Sequence, residues 1–362
     1  MKKNLIWVEV DKKALQGNIN TFKKLLGPKV KFMPVVKSNA YGHGLLEVSS
    51  ILAKRNQADW LGVNSLDEAA TLRKSGIKIP ILILGYVPLS RLAEAVRLKV
   101  RLTVYNIQTV KALARIKPGG KTHLHVKLET GTNRQGIGLA EAMELARFIS
   151  KHSNMVLEGY STHFANIEDT ADHTYPNYQK SLYREMISRL EEMGYPGEIN
   201  HTACTAASLI FTDTHHQLAR IGLGLYGLWP SRETMLTARD RDSLLKLNPV
   251  LTWKTRIAQI KTVPSGSYIS YGCTYRTTRQ TVLAVLPIGY NDGYDRKLSN
   301  TAHVLIKGER APIRGRICMN ICLADITDIP GVKLEDEVVL LGRQGQEQIS
   351  AEQMASWIGT IN

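Results

Sequence analysis

The 362-residue sequence contains only four cysteines and no long hydrophobic run. Four cysteines in a chain of this length do not make a disulfide framework. They include no Cys-x-x-Cys pair, which argues against a zinc site. The apolar run at the N-terminus stops at Glu9, too early for a signal peptide. No segment approaches the ~20 apolar residues that a membrane-spanning helix needs. We therefore expect a cytoplasmic protein without a metal and without contact with membranes.

The charge balance is basic but carries no nucleic-acid signature. Lysine and arginine number 47 against 32 acidic residues, a net charge of +15. The basic residues are scattered, and they form no stripe interleaved with aromatic residues, so we expect a basic solvated surface and no nucleic-acid partner. The 43% apolar content is that of an ordinary globular chain.

Short apolar runs alternate with amphipathic stretches through the first two thirds of the chain. This alternation indicates βαβ units and a parallel sheet. Eight such units predict an α/β fold of the (β/α)8 TIM-barrel type, because a doubly wound sheet would show fewer strands. The predicted strands are Phe32–Val36, Trp60–Val63, Ile79–Leu84, Leu102–Tyr105, His123–Leu128, Val156–Thr162, Ile199–Thr202 and Leu218–Leu223.

After about Trp229 the pattern changes to short strands separated by turn residues, which predicts a mainly antiparallel β-domain. We expect an N-terminal strand over residues 1–10 that associates with this domain, a barrel over 11–240 and the β-domain over 241–362. The charged stretch Ser231–Leu247 resembles a linker.

Reactive residues follow several predicted barrel strands, where the active site of a barrel lies. Lys37 follows the apolar run that ends at Val36. A desolvated lysine there can attack a carbonyl group, although a salt-bridged structural lysine fits the pattern equally well. Arg134 can clamp a carboxylate in bidentate fashion, and His163 ends another strand.

A glycine-rich stretch follows Arg220 and matches G-x-G-x-x-G between Gly222 and Gly227. A dinucleotide-binding fold needs these glycines in its first βαβ unit, opening a helix. Here Trp229-Pro230 follows at once, and the position is the last unit of the barrel. We therefore reject the dinucleotide interpretation and expect the phosphate group of a cofactor at this turn.

The segments together resemble the alanine racemase family, fold-type III enzymes that use pyridoxal 5′-phosphate. The matching motifs occur in the order of the family and cover nearly the whole chain. They are Val36-Lys37-Ser38-Asn39-Ala40-Tyr41-Gly42-His43-Gly44, Lys127 to Arg134, Thr162-His163-Phe164-Ala165, His201-Thr202-Ala203, Arg220-Ile221-Gly222, Tyr226-Gly227-Leu228, Ser270-Tyr271-Gly272, Gly289 to Tyr294 and Gly315 to Met319.

The resemblance implies a two-base racemisation of L- and D-alanine that supplies D-alanine for peptidoglycan. Lys37 would hold the cofactor and act as one base, and Tyr271 of the partner subunit would be the other, so the enzyme would be a homodimer with shared active sites. His163 would assist Tyr271. Arg220 would face the pyridine nitrogen and keep it unprotonated, because arginine does not give up its proton.

The resemblance also assigns binding residues. The phosphate group would contact Tyr41, Thr205, Gly222 and Leu223. The substrate carboxylate would be held by Arg134 and by the backbone of Met319. In many members of the family, the residue matching Lys127 is carbamylated and orients the arginine.

Two departures from the family pattern leave alternatives open. Asn320 stands where the family usually has aspartate, and the chain stops at Asn362 before the family's phosphate-binding tyrosine and final β-segment. We therefore expect a truncated C-terminal domain and weaker cofactor retention than in a full-length relative. The alternatives are a serine or broad-specificity racemase and a weakly active cofactor-binding protein. A decarboxylase is disfavoured by Arg220.

Overall fold

The computed structural model describes residues 4–54, 57–116 and 120–362. The strands are β1 (Ile6–Val10), β2 (Lys31–Pro34), β3 (Leu61–Val63), β4 (Ile81–Ile83), β5 (Arg101–Val104), β6 (Thr122–Lys127), β7 (Met155–Ser161), β8 (Leu218–Ile221), β9 (Leu251–Arg256), β10 (Gln259–Val263), β11 (Thr281–Leu286), β12 (His303–Ile306), β13 (Glu309–Pro312), β14 (Cys322–Asp325), β15 (Glu337–Gln344) and β16 (Glu347–Ile349).

The helices are α1 (Lys12–Leu26), α2 (Lys37–Tyr41), α3 (Leu45–Ala53), α4 (Leu66–Lys74), α5 (Leu92–Arg97), α6 (Ile107–Ala114), α7 (Leu139–Ser150), α8 (Thr174–Glu192), α9 (Thr205–Ile210), α10 (Arg232–Arg241) and α11 (Ala351–Ile358). Among the described residues, none of these helices has both the length and the apolar character needed to span a bilayer.

The chain divides into two compact units. One comprises residues 13–248, and the other combines the first twelve residues, of which 4–12 are described, with Pro249–Asn362. The first three residues of the predicted N-terminal strand lie outside the described residues. The predicted domain boundaries after residues 10 and 240 stay a prediction.

The first unit contains a ring of parallel pairings. Strands β3 to β7 form one parallel sheet, and β8 pairs with β2. A bridge between Val35 and Gly62 joins β2 to β3, and a bridge between Ser161 and His201 joins β7 to the segment 199–203. The N–H of Arg220 in β8 donates to the carbonyl of Ala203, which completes the ring. The predicted α/β barrel is thereby confirmed.

The predicted strand Ile199–Thr202 is present only as a single bridge. Side chains replace ladder hydrogen bonds here: the Asn200 side-chain oxygen accepts the Tyr160 N–H at 2.9 Å, and the Gln217 side chain accepts the Asn200 N–H at 3.1 Å. The predicted linker Ser231–Leu247 is also wrong, because its first part is helix α10. The Ser231 hydroxyl caps this helix by accepting the Thr234 N–H at 2.9 Å.

The second unit is antiparallel, which confirms the predicted β-domain. One sheet has the order β1-β9-β15-β12-β13, and a second has the order β10-β11-β14. In the first sheet, Ile6 pairs with Thr255 and Val10 with Leu251. The apolar core of this unit includes Leu286, Ile306, Val338, Leu340 and the fully buried ring of Tyr294.

Candidate active site

Charged side chains gather at the carboxyl ends of the ring strands. Lys37 follows β2 and is half-buried, Lys127 ends β6, and His163 follows β7. Arg220 lies within β8 and is buried. Burial lowers the pKa of His163 well below its ordinary value, and the positive charges of Arg220, Lys127, Arg134 and Lys37 lower it further. His163 is therefore neutral at pH 7.

The backbone directly after Lys37 is left-handed. Ser38, Asn39, Ala40 and Tyr41 have φ values of 54° to 55°, a conformation that costs an L-residue roughly 1–2 kcal/mol. Local hydrogen bonds hold the turn: the Asn39 side chain accepts the Leu45 N–H at 2.8 Å. Backbone strain of this kind, kept in place by its surroundings, is found at functional sites.

Arg220 is the most highly connected side chain of the cluster. Its guanidinium donates to the carbonyl oxygens of Thr162 at 2.8 Å, Thr202 at 2.8 Å and His201 at 2.9 Å. It also lies 2.5 Å from His201 Nδ1 and 3.4 Å from His163 Nδ1. Burial lowers the pKa of Arg220 to about 10, so it stays a cation at neutral pH. These contacts hold the Arg220 guanidinium in one orientation.

A row of buried polar side chains extends from Arg220 into the ring. His201 Nε2 lies 3.1 Å from His125 Nδ1, and His125 Nε2 lies 3.0 Å from Glu158 Oε2. Arg101 contacts both oxygens of Glu158, at 2.7 and 2.9 Å. Burial opposes ionisation of Glu158, but contacts with His123, His125 and Arg101 outweigh it and lower the pKa of this carboxyl strongly.

Lys127 and Arg134 form the cationic side of the cluster. Burial lowers the pKa of Lys127 well below its ordinary value, and the charges of Arg220 and Arg134 add to this effect. Its amine therefore loses its proton more readily than that of an exposed lysine. Arg134 is exposed, and no ion-pair partner for it is found in the described part of the chain. The surplus of cations favours an anionic ligand such as a carboxylate.

The turn after β8 forms a small cradle of hydrogen-bonding groups. The Thr205 hydroxyl accepts the N–H groups of Gly222 at 3.1 Å and Gly224 at 3.3 Å. A Cβ atom at residue 222 would come within 2.7 Å of the Tyr41 hydroxyl, so any other residue there would displace the Tyr41 side chain. A 3₁₀ turn begins at Leu223, and its first N–H has no partner inside the turn. Hydroxyl and amide groups of this kind suit a phosphate.

The second unit carries the predicted Tyr271 and Met319. Their side chains are 69% and 54% exposed, and both line one pocket with Ser270, Tyr290 and Ile321. The backbone of Met319 is held by the loop at residue 289, where a Cβ atom would clash with the Cys318 and Met319 carbonyls. The N–H of Tyr290 donates to Cys318 O at 3.1 Å, and that of Asn291 donates to Met319 O at 3.0 Å.

The structure therefore brings together the predicted Lys37, Lys127, His163 and Arg220, and likewise Tyr41, Thr205 and Gly222. It also shows residues that the sequence interpretation gave no role: His125, Glu158, His201, and Glu68, whose carboxylate accepts the N–H of Ser38 next to Lys37. The sequence contains one signal for the buried polar row. His123, His125 and Lys127 occupy alternate positions of β6, which places three ionisable side chains on one face of a barrel strand.

These observations first define a class. A parallel barrel with a half-buried lysine and a phosphate cradle at its strand ends suits pyridoxal phosphate, because the cradle fits the phosphate group and the lysine can hold the aldehyde. The cations around Arg134 fit the carboxylate of an amino acid. The protein is a pyridoxal phosphate-dependent enzyme that acts on amino acids.

Comparison with known proteins specifies the family. The model described as "Alanine racemase, N-terminal domain" matches residues 10–230, and "Alanine racemase, C-terminal domain" matches residues 250–362. The alanine racemase of Desulforamulus reducens is 40% identical, over 99% of this chain and 95% of the relative. That of Methanococcus maripaludis is 39% identical, over 99% of this chain and 94% of the relative.

Comparison with solved structures leads to the same family. The alanine racemase of Clostridium difficile 630 has a TM-score of 0.91 and 35% identity, with 100% of this chain and 92% of that chain covered. The alanine racemase of Bacillus anthracis with bound L-Ala-P gives the same TM-score, identity and coverage. The chain belongs to the alanine racemase family, whose members are isomerases.

Proposed function

We propose that this protein interconverts L-alanine and D-alanine, with Lys37 and the partner subunit's Tyr271 as the two bases. The observation that carries the proposal is the cluster around Arg220, in which a lysine, a fixed guanidinium and an anion cradle meet at the same strand ends. Bound pyridoxal phosphate acidifies the α-hydrogen by drawing the electron pair of the α-carbon into its ring.

The residues of this chain have distinct roles in the proposed site. Lys37 would hold the cofactor, while Tyr41, Thr205, Gly222 and Leu223 would bind its phosphate. Arg220 would face the ring nitrogen. Because burial leaves the pKa of Arg220 at about 10, its proton is retained at neutral pH and the nitrogen receives none.

Arg134 and the backbone of the partner subunit's Met319 would hold the carboxylate of the substrate and orient its α-hydrogen. Two bases on opposite faces are needed because one base on one face returns the proton where it took it. The neutral His163 assists the tyrosine as a hydrogen-bond partner rather than as a charge.

We further propose that Lys127 carries a carbamate that orients Arg134. A carbamate forms when a neutral amine adds to carbon dioxide and releases a proton, and the lowered pKa of Lys127 increases the share of neutral amine. The carbamate would place a negative charge near Arg134 and Arg220, whose positive charges act on this lysine. Burial and neighbouring charges thus support this modification.

We also propose a homodimer that shares its active sites. The support is the exposure of Tyr271, Met319 and Ile321 together on one face of the second unit, since a contiguous exposed apolar patch marks an interaction surface. The product D-alanine would serve peptidoglycan synthesis. The four free cysteines support a reducing, cytoplasmic location.

The direct test is chiral chromatography of L-alanine after incubation with purified protein and pyridoxal phosphate, with Lys37→Ala as the control. D-alanine from the parent protein alone supports the proposal. Faster conversion of L-serine would favour a broad-specificity racemase, and release of carbon dioxide would indicate a decarboxylase. A folded, cofactor-loaded protein that converts none of these would be a binding protein instead.

Shared sites are tested by mixing Lys37→Ala with Tyr271→Phe protein, each inactive alone. After subunit exchange, a mixed dimer regains one intact site only if each site takes its lysine and tyrosine from different chains. Absence of recovered activity, with exchange verified by a mass-tagged subunit, would contradict the shared arrangement.

A further inference from the structure

The Glu68 carboxylate accepts three backbone N–H groups from two separate parts of the chain. Its Oε2 accepts those of Asn64 at 2.7 Å and Ser65 at 3.1 Å, and its Oε1 accepts that of Ser38 at 2.5 Å. The first two contacts belong to the N-terminus of helix α4. The third reaches the residue that directly follows Lys37.

The two oxygens have separate tasks. Together with the Ser65 hydroxyl, which accepts the Glu68 N–H at 3.2 Å, Oε2 completes a capping box. The cap makes no use of Oε1. That oxygen ties helix α4 to Ser38, the first of the four left-handed residues, so it stabilises a conformation that the sequence itself disfavours.

We propose that Glu68 is a positioning residue that fixes the side chain of Lys37 through the backbone of Ser38. The proposal rests on the function proposed above for Lys37. A lysine that must both hold a cofactor and move a proton depends on its placement to within a fraction of an ångström. Loss of the Oε1 contact releases the first amide of the turn and lets the Lys37 backbone relax.

The test variant is Glu68→Gln in the cofactor-loaded enzyme. Glutamine keeps the capping box, because its oxygen can still accept the Ser65 N–H. Its NH₂ group then faces the Ser38 N–H, and two donors cannot bond. We expect kcat to fall about tenfold with KM changed less than about twofold, because placement rather than substrate binding is lost.

Two further measurements do not depend on turnover. Hydrogen exchange of the peptide that contains the Ser38 amide should become about tenfold faster in Glu68→Gln. The pH midpoint of the visible absorbance band of the cofactor attached to Lys37 should move, since that band reports the surroundings of the lysine nitrogen.

Matched controls separate this effect from loss of a helix cap. Ser65→Ala removes the hydroxyl half of the same capping box but leaves the Ser38 contact. Glu141→Gln makes the same substitution in the cap of α7, where the Glu141 side chain accepts the Gly138 N–H at 3.2 Å. Both controls should keep kcat within about twofold of the parent and leave the visible band unchanged.

The proposal is overturned if Glu68→Gln matches Ser65→Ala in kcat, exchange and spectrum. It is also overturned if the exposed Ser38 amide of the parent protein exchanges as fast as an unstructured one, a result that needs no variant to fold. Failure of the proposed racemase function would appear differently: the parent would convert no alanine, while the exchange and spectral differences would still test Glu68.

Discussion

Arg220 Nη1 lies 2.5 Å from His201 Nδ1, and this contact fixes the protonation of two buried histidines. Arginine only donates, so His201 Nδ1 must accept and its proton must be on Nε2. His125 Nδ1 then accepts a hydrogen bond from this Nε2–H, and His125 Nε2 carries its own proton and donates it in a hydrogen bond to the Glu158 carboxylate. The Arg220 cation and the Glu158 anion are thus connected through the neutral rings of His201 and His125, whose hydrogen bonds all run in one direction.

The buried histidines predict a loss of stability in mild acid. Burial lowers the folded-state pKa values of His125, His163 and His201. The charge of Arg220 lowers those of His163 and His201 further, whereas contact with Glu158 offsets part of the effect at His125. Below their unfolded pKa of about 6.5, the unfolded chain binds more protons, so the free energy of unfolding falls as pH decreases. Each histidine contributes up to about 1.4 kcal/mol per pH unit.

Urea unfolding between pH 7.5 and 5.5 measures this slope. Replacement of His125 by Gln, which can still donate to Glu158 and accept from His201, should reduce the slope by about the share of one histidine. A pH-independent stability over this range would contradict the neutral state assigned to these rings.

Glu158 is predicted to be the most stabilising carboxylate of the ring. Its side chain is only 7% exposed and contacts Arg101 at 2.7 Å. Glu158→Gln removes a buried carboxylate and leaves the Arg101 guanidinium, only 19% exposed, without its counter-charge, so we expect a loss of about 3 kcal/mol in the free energy of unfolding. Glu347→Gln is the control, because its ion pair with Arg310 is 41% exposed on the carboxylate side and should cost less than about 1 kcal/mol. Equal losses would argue against a structural role for the buried row.

Gly222→Ala should weaken cofactor binding by displacing Tyr41. The added Cβ would lie 2.7 Å from the Tyr41 hydroxyl, too close for two unbonded atoms. We expect the Kd for pyridoxal phosphate, measured by equilibrium dialysis, to rise about tenfold or more, in line with the loss of one charge-assisted hydrogen bond. Gly138→Ala is the control, since nothing lies within 4 Å of a Cβ there.

The double variant Gly222→Ala/Tyr41→Phe identifies the cause of that loss. If the clash acts through the hydroxyl, the second substitution adds little to the first. Fully additive losses would show that the two residues bind the phosphate independently.

Lys127 is predicted to take up carbon dioxide. Protein equilibrated with ¹³C-bicarbonate should show one protein-bound carbamate carbon signal by NMR, and Lys127→Arg should lack it. The cause is the depressed pKa of the buried amine. A parent spectrum identical to that of the variant would contradict the modification.

Tyr271→Phe is predicted to separate the two half-reactions. With only Lys37 left as a base, the variant should exchange the α-hydrogen of one alanine enantiomer with D₂O while its racemisation falls by at least about a hundredfold. Mass spectrometry of each recovered enantiomer measures this exchange. Equal exchange of both enantiomers would assign the second base to another residue.

Much of the fold follows from local pattern. The apolar runs of β2 to β8 are buried on both faces, as expected of parallel strands, and their order predicts the ring. The sequence pattern does not predict helix α10, because its composition is charged and few of its side chains are buried. A serine at position 231, suited to cap a helix, is the local signal that a helix begins there.

The site was less predictable, because its contacts join distant residues. The capping box of Ser65 and Glu68 can be found from the Ser-x-x-Glu spacing, but nothing in that spacing indicates Ser38. Likewise, the left-handed turn has no sequence signature beyond Asn39, the residue type among its four that tolerates this conformation best. His201 belongs to the motif His201-Thr202-Ala203, yet its tautomer follows only from the position of Arg220.

Strand β1 is the first strand that a ribosome would release. Its partner β9 is one of the later strands to emerge. Ile6 pairs with Thr255, so this strand leaves the exit tunnel long before any residue that can pair with it. During that interval the ring of residues 13–248 can fold from contiguous chain, whereas β1 must stay unpaired. Completion of the second unit therefore waits for nearly the whole chain, and a stalled or shortened translation product would expose both β1 and its apolar face to the chaperones of the cell.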